Sequence, residues 1–439
     1  MEIKMITVND IIKQDNHPQL FHQLISETTL LEYVAGYFTR KEEFMELWYE
    51  AGEQSIYILD IAALKEKAKH FKKAFRKLIP DTDFYYAVKS NNHPKIAKTL
   101  ATNGFGLDVS SGRELQMAID VGAEKIVFSG PGKTDRELKL VAEHANHVIV
   151  LMDSFSELNR LSQIAETCQT KIQAGIRIAP IMTDSWQKFG IPLDRLQEFW
   201  EIAKEKPNIK LSGIQFHTSW NLNPSRQIEA IKALGNEVAT WPSTLVNQIK
   251  FIDIGGGFWP SRGEWLQSSS TPQGKVDEVL ANKPPEWNKH FVAPAVSIES
   301  FAKEISNAVE NYIFPIVKCK ICFEPGRWLS NDAMHLMLSV IDKKEIDMVI
   351  TDAGTNTVGW ERFEHYYAPI LNLSNPGVTE HKCHILGSLC TPEDTWGYSY
   401  WGNGIKNNDV LLVPNQGSYT YSLRQEFIKP LPKVFSLEY

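Results

Sequence analysis

Between about residues 80 and 330 the chain alternates short apolar runs with segments whose apolar positions recur at helical spacing. Eight runs predict strands, at 84–88, 106–109, 125–129, 148–153, 173–178, 213–217, 251–255 and 321–324. Segments 94–103, 112–121, 135–144 and 154–167 predict helices between them. Eight strand–helix alternations predict an α/β fold, a (β/α)8 TIM barrel with its helices outside, although a doubly wound open sheet has the same local pattern. Each predicted strand ends in a polar or glycine-rich cluster that includes, in order, Lys89, Asp108, Ser129, Asp153, Arg177, His217, the triplet Gly255-Gly256-Gly257, and Glu324 with Arg327. Turn chemistry explains one or two such clusters. A whole series at the same strand end predicts a barrel mouth, where the active site forms.

Beyond residue 330 the helical periodicity gives way to runs such as 347–351, 383–386 and 410–413, separated by Gly, Pro and Asn. The expected organisation is a barrel domain over 52–330. A mainly β domain over 331–439 would take in residues 1–51, which carry a helical segment. The stretch 259–294 is long, polar and rich in Ser, Pro, Gly and Trp. It follows the glycine triplet, so it is expected to lie over the active-site face, where long loops are often functional.

Composition narrows the class. The 439 residues are 43% hydrophobic and 23% charged, which excludes disordered and collagen-like chains. A net charge of −7 with no basic run argues against a nucleic-acid partner. No stretch approaches the ~20 apolar residues of a membrane span, and residues 1–10 lack a signal-peptide core. Five scattered cysteines fit a reducing cytoplasm better than a disulfide framework. Cys319 and Cys322 would point to opposite faces of a strand, which suits neither a redox pair nor a metal clip, so no metal is expected.

A lysine at a strand end inside a barrel mouth is suited to a Schiff base, although such a lysine is more often an ion-pair partner. The glycine triplet offers bare N–H groups to a phosphate, or is simply a flexible turn. Glu324-Pro325-Gly326-Arg327 adds an acid and a base. Together they describe a site for pyridoxal 5'-phosphate.

At this point the chain resembles the fold-type III pyridoxal phosphate-dependent decarboxylases, the diaminopimelate and ornithine decarboxylase family. The matching motifs are Tyr-Ala-Val-Lys-Ser-Asn (86–91), Gly-Leu-Asp-Val-Ser-Ser-Gly-Arg-Glu-Leu (106–115), Ser-Gly-Pro-Gly-Lys-Thr (129–134), Lys-Phe-Gly-Ile (188–191), Gly-Ile-Gln-Phe-His (213–217), Asp-Ile-Gly-Gly-Gly-Phe (253–258), Glu-Pro-Gly-Arg (324–327), Thr-Asp-Ala-Gly-Thr-Asn (351–356), Leu-Cys-Thr-Pro-Glu-Asp (389–394) and Gly-Ser-Tyr (417–419). The resemblance implies an alanine racemase-like barrel with a β domain, and decarboxylation of an amino acid through a Schiff base and a quinonoid. It implies that Lys89 binds the cofactor aldehyde and that His217 stacks on the ring. Glu324 would pair with the ring nitrogen, and Asp108 would also contact the cofactor. Gly255, Gly256, Gly257, Gly326, Arg327 and Tyr419 would hold the phosphate. Cys390 would be the acid that reprotonates Cα, with Asp394 supporting its loop. Active sites would be shared across a homodimer. Glu324 and Cys390 favour a decarboxylase over a racemase of the same fold, which would carry an arginine and a tyrosine there.

Recognition of the side chain departs from the family. Ornithine and diaminopimelate enzymes have an acid directly after the cysteine, facing the distal amine, whereas this chain has Thr391. The diaminopimelate enzymes' arginine and tyrosine for the distal carboxylate are replaced by Trp360 and Glu364, while Arg362 stands nearby and Tyr367 is kept. The family's His-x-Gly-Ser becomes His217-Thr218-Ser219-Trp220. Expected substrate contacts are Arg327, Thr391, Glu393, Asp394, Tyr367 and Trp360. The expected substrate is a conjugated or modified diamino acid, such as the citryl-linked amino acids of siderophore biosynthesis. The alternatives are decarboxylation of free diaminopimelate in lysine biosynthesis, or a racemase of the same fold.

Overall fold

The structure is a computed structural model and describes residues 22–179, 188–281, 286–359 and 366–438. It divides into two compact units. One comprises Ile61–Pro260 and Val296–Asn331, the other Met1–Asp60, Ser261–Ala295 and Asp332–Tyr439.

The first unit is a closed, all-parallel barrel. Its strands are β1 (Thr82–Ala87), β2 (Gly106–Val109), β3 (Ile126–Phe128), β4 (Val148–Met152), β5 (Ile172–Arg177), β6 (Ile209–Gln215), β7 (Phe251–Asp253) and β8 (Lys320–Phe323). Each pairs with its neighbour in sequence, and β8 closes on β1. All eight predicted strands are present, so the (β/α)8 barrel is the observed fold. The strands read as nearly unbroken apolar runs because both faces of a parallel barrel strand are covered. Several helices begin at residues whose side-chain oxygens accept a first-turn N–H, among them Ser111, Thr134, Ser154 and Ser297. At Thr134 the side chain of Glu137 reciprocates, completing a capping box.

Strand alternation builds the interior in layers. Tyr85, Val127, Leu151, Phe251 and Cys322 form one buried apolar cluster. Glycines on facing strands make room for its rings: a Cβ on Gly213 would lie 2.2 Å from the Phe251 ring, and one on Gly106 2.4 Å from the Tyr85 ring. Two residues further along, the same inward faces carry Asp108, Ser129, Asp153, Arg177, Gln215, Asp253 and Glu324. The apolar layer is therefore the floor of a polar mouth.

The second unit is mainly β. In its eight-stranded sheet the long strand Met334–Glu345 pairs antiparallel with Ile56–Asp60, Met348–Thr351 and Val410–Val413. Helices Glu27–Phe38 and Lys41–Glu50 contribute Leu30, Val34, Phe44 and Trp48 to a core shared with Ile58, Met337, Leu371 and Leu412. The observed boundaries differ from the expected 52–330 at two places. Ile56–Asp60, buried along its whole length, pairs with Met334–Glu345 and Lys433–Leu437. Ser261–Ala295 also belongs to this unit and is not a plain loop. Glu264–Gln267 and His290–Ala293 form a three-stranded sheet with Gln23–Leu24, and Pro272–Ala281 is helical.

His335 lies in this unit's interior. Its Nδ1 accepts the Asn415 N–H at 3.0 Å, and its Nε2 is buried with no partner among the described residues. Burial lowers its pKa to about 4. An unfolded imidazole titrates near 6.5, so between those values the unfolded chain holds a proton that the folded chain lacks. Stability should therefore fall as pH drops from 6.5 toward 4, by up to about 3 kcal/mol from this residue. Urea midpoints at pH 7 and pH 5 check this. The pH difference should shrink in His335→Gln, and an undiminished difference would exclude His335 as its source.

Candidate active site

The first site residue is positioned by the end of β1. Val88–Ser90 forms a single 3-10 turn. It is fixed by the Tyr86 hydroxyl donating to Asn91 O at 3.0 Å and by Ser90 Oγ donating to Ala87 O at 2.8 Å. The turn presents Lys89, whose Nζ stands 3.4 Å from Asp108 Oδ2. The lysine side chain keeps 34% of its surface, while Asp108 is fully buried. Asp108 accepts from the Ser129 hydroxyl, and the Ser129 carbonyl accepts from Arg177 Nη1 at 2.9 Å. Arg177 Nε lies 3.9 Å from Asp153 Oδ1, and its guanidinium covers the Phe189 ring at 4.2 Å. Gly190 N–H donates to Asp153 at 3.0 Å. The Lys-Phe-Gly-Ile motif is thus tied to the mouth through Arg177 and Asp153.

At the end of β8, next to β1 in the barrel, Glu324 is buried, with the Gln215 amide donating to both its oxygens at 3.3 and 3.4 Å. Burial raises its pKa, and the positive charges of Lys89 and Arg177 work in the other direction. Burial also raises Asp108, helped by the charge of Glu324. His217 is held well below the usual imidazole range by burial and by the positive charges of Lys89 and Arg177, so the ring is neutral. Its Nδ1 accepts the Gly256 N–H at 3.2 Å. That nitrogen therefore carries no proton, and its 3.7 Å approach to Glu324 is not an ion pair.

The glycine triplet closes over these groups. Gly255 and Gly257 adopt φ of +72° and +84°, which a side chain strongly disfavours. A Cβ on Gly256 would lie 2.3 Å from Glu324 O, and one on Gly257 2.2 Å from Thr218 O. The N–H groups of Gly257 and Gly326 donate to nothing in the described chain. Gly326 caps the short helix Arg327–Ser330, and the Arg327 guanidinium stacks 4.2 Å over Trp259. Two unused backbone donors beside a helix start and an arginine make a cradle for an anion.

In the other unit, residues 387–394 form a loop that Asp394 ties both to itself and to Thr355. Asp394 is buried and accepts from the N–H groups of Leu389 and Thr355, both at 2.7 Å, and from the Thr355 hydroxyl at 3.1 Å. Its carboxylate is taken up by Leu389 and Thr355. Cys390 lies exposed on that loop as a free thiol. The Thr391 hydroxyl donates to Glu393, which holds that carboxyl below its usual range. Tyr367 is buried. It stacks on His290 at 3.5 Å, and its hydroxyl accepts from Trp401 Nε1 at 3.1 Å. With His290, Trp396, Tyr398 and Ser399 it lines a pocket of about 390 Å³. Tyr419 has φ of +54°, an uncommon conformation for a bulky residue. Trp360, Arg362 and Glu364 lie outside the described residues.

The barrel therefore gathers Lys89, Asp108, His217, Gly255, Gly256, Gly257, Glu324, Gly326 and Arg327 at one mouth. Cys390, Thr391, Glu393, Asp394, Tyr367 and Tyr419 belong to the other unit. Sequence reasoning left Gln215 and Asp253 out of the site. Both stand at the last inward position of their strands, two residues after an inward residue of the floor, so the period of two could have found them.

Residues 61–331 match the family described as pyridoxal-dependent decarboxylase, pyridoxal binding domain. The chain belongs to this family. It is an amino acid decarboxylase whose cofactor is pyridoxal 5'-phosphate. The chain is similar to diaminopimelate decarboxylase of Aquifex aeolicus, with 27% identity over 85% of this chain and 83% of the relative. It is also similar to 2-[(L-alanin-3-ylcarbamoyl)methyl]-2-hydroxybutanedioate decarboxylase of Staphylococcus aureus, with 26% identity over 84% of this chain and 89% of the relative. The fold is similar to that of Helicobacter pylori diaminopimelate decarboxylase crystallised with L-lysine. There the TM-score is 0.72 and identity is 23%, over 90% of this chain and 94% of that one. The mouth fits the cofactor: an amine, a flat neutral ring, a buried acid and an anion cradle converge there.

Proposed function

We propose that this enzyme decarboxylates an α-amino acid whose distal amine is acylated, as in siderophore-type biosynthesis, and not free diaminopimelate. The observation that carries this is Thr391. Directly after Cys390 the chain has a neutral hydroxyl, and that hydroxyl already donates to Glu393. A distal ammonium there would meet a hydroxyl in place of a carboxylate, with Glu393 already engaged by that hydroxyl, whereas an amide needs only hydrogen bonds. The Staphylococcus aureus relative supports the reading. Its name describes a substrate that joins an alanin-3-yl group to a hydroxybutanedioate through a carbamoyl link.

In this reading Lys89 holds the cofactor aldehyde, with Asp108 as its counter-charge. The N–H groups of Gly257 and Gly326 bind the phosphate, with Gly255, Gly256, Arg327 and Tyr419. The neutral face of His217 packs on the ring, and Glu324 keeps a proton on the ring nitrogen. When bound, pyridoxal phosphate supplies the electron sink for the pair left on Cα as carbon dioxide departs. Cys390 delivers a proton to Cα, and Asp394 keeps its loop in shape. Arg327, Thr391, Glu393, Tyr367 and Trp360 contact the substrate. A second copy of the chain contributes the Cys390 loop, making the enzyme a homodimer. Its five free cysteines support a cytoplasmic setting.

Thr391→Glu tests the carrying observation. The ratio of kcat/KM for free over acylated diamino acid should rise about tenfold or more, which corresponds to one ion pair of about 1.4 kcal/mol. An unchanged ratio would show that position 391 does not read the distal group.

A further inference from the structure

We propose that Ser129 is a positioning residue for Lys89: its hydroxyl pins one oxygen of Asp108 so that the other faces the lysine amine. This rests on the reading of Lys89 as the amine that takes the cofactor aldehyde.

Ser129 directly follows β3 and is buried. Its backbone is fixed from both sides. The N–H donates to Val109 O at 2.9 Å at the end of β2, and the carbonyl accepts Arg177 Nη1 at 2.9 Å from the end of β5. The next residue runs so close to the end of β2 that a Cβ on Gly130 would stand 2.0 Å from Ser110 O. The hydroxyl therefore springs from a backbone with little room to shift. It donates to Asp108 Oδ1, while Asp108 Oδ2 stands 3.4 Å from Lys89 Nζ. A carboxylate turns easily about its terminal torsion, which is soft. A fixed donor on Oδ1 removes this freedom and aims Oδ2 at the amine.

A buried serine beside a buried carboxylate also serves burial, by satisfying an acceptor. What separates the two roles is the effect on Lys89. Among the described residues, the titratable groups that face Asp108 are Lys89, Glu324, His217 and, from the helix after β2, Glu114. Burial and the charge of Glu324 favour the neutral acid, whereas Lys89, the Ser129 hydroxyl and His217 favour the carboxylate. Loss of the hydroxyl removes a donor to the ionised form and lets the carboxyl turn. Both changes weaken the negative charge that Lys89 faces, so the lysine gives up its proton more readily. One serine thus sets both the aim of the counter-charge and the proton affinity of the amine.

Competitive labelling of the full cofactor-free chain with isotopic acetic anhydride over a pH series, read by mass spectrometry at the peptide containing Lys89, measures the proton affinity of that amine. In Ser129→Ala the midpoint at Lys89 should fall by about one pH unit, a tenfold change in proton affinity. Asp108→Asn should lower it at least as far. Ser129→Thr keeps the hydroxyl and should stay within about a third of a unit of the parent. The exposed Lys210 should be unmoved in every variant, which reports an intact barrel. An unmoved midpoint at Lys89 in Ser129→Ala, or an equal fall in Ser129→Thr, would overturn the proposal. If the alanine variant does not fold, Ser129→Cys decides. Its thiol is a weak donor, so the midpoint should fall there by about half a unit, and an unmoved midpoint would overturn the proposal. The labelling needs no cofactor, whereas fixation of pyridoxal phosphate by borohydride tests the role of Lys89 itself, so the two readings fail separately.

Discussion

Lys89→Ala is expected to lower decarboxylation by roughly 10⁴-fold or more, the scale of removing a covalent-catalysis residue. The 3-10 turn at Val88–Ser90 is fixed by two hydrogen bonds, and it presents a partly exposed amine against a fully buried carboxylate. An amine 3.4 Å from Asp108 and still partly exposed is held in place and within reach of a reactant. A structural ion pair alone would also use this contact, so the readout must be chemical. Borohydride reduction should fix pyridoxal phosphate to the peptide containing Lys89 in the parent enzyme and to no peptide in Lys89→Ala. A labelled peptide elsewhere, or near-normal turnover in the variant, would remove Lys89 from its role.

The second large effect is expected at Cys390. Its replacement by alanine should lower turnover by about 10²–10⁴-fold, the range for a positioned general acid. The loss should appear in kcat, because the thiol acts after substrate has bound. Asp394 supports this assignment. Its carboxylate binds two backbone N–H groups and one hydroxyl, and so shapes a loop on which the thiol is exposed. In heavy water the parent enzyme should place deuterium on one face of Cα, and Cys390→Ala should scramble it as solvent takes over delivery. Retained rate together with retained stereochemistry would exclude Cys390 as the donor.

The barrel was legible because its strands are short, apolar and separated by helices with clear caps. The residues at the mouth were legible where they sit at strand ends inside motifs, as with Lys89, Asp108, Glu324 and the glycine triplet. Gln215 and Asp253 lie in the same motifs at inward positions that the period of two marks, but the contact of Gln215 with Glu324 crosses strands and is not displayed in one strand's sequence. Asp394 reads from the sequence both as a support of the Cys390 loop and as a substrate contact. Its partners, the backbone N–H groups of Leu389 and Thr355, become visible only once the loop is folded. The stretch after the glycine triplet read as loop because its strands are four residues each and the intervening residues are polar. Pairing with Gln23–Leu24, far away in the chain, supplies the edge that local propensity lacks.

The most direct test of the central claim is a competition. Purified enzyme with pyridoxal phosphate receives equimolar free meso-diaminopimelate and a citryl-acylated diamino acid, each carrying a different carbon isotope in its α-carboxyl group. The account predicts that the carbon dioxide released comes almost wholly from the acylated compound, at a kcat/KM of about 10⁴ M⁻¹s⁻¹ or more. Carbon dioxide coming mainly from free diaminopimelate at that rate would contradict it.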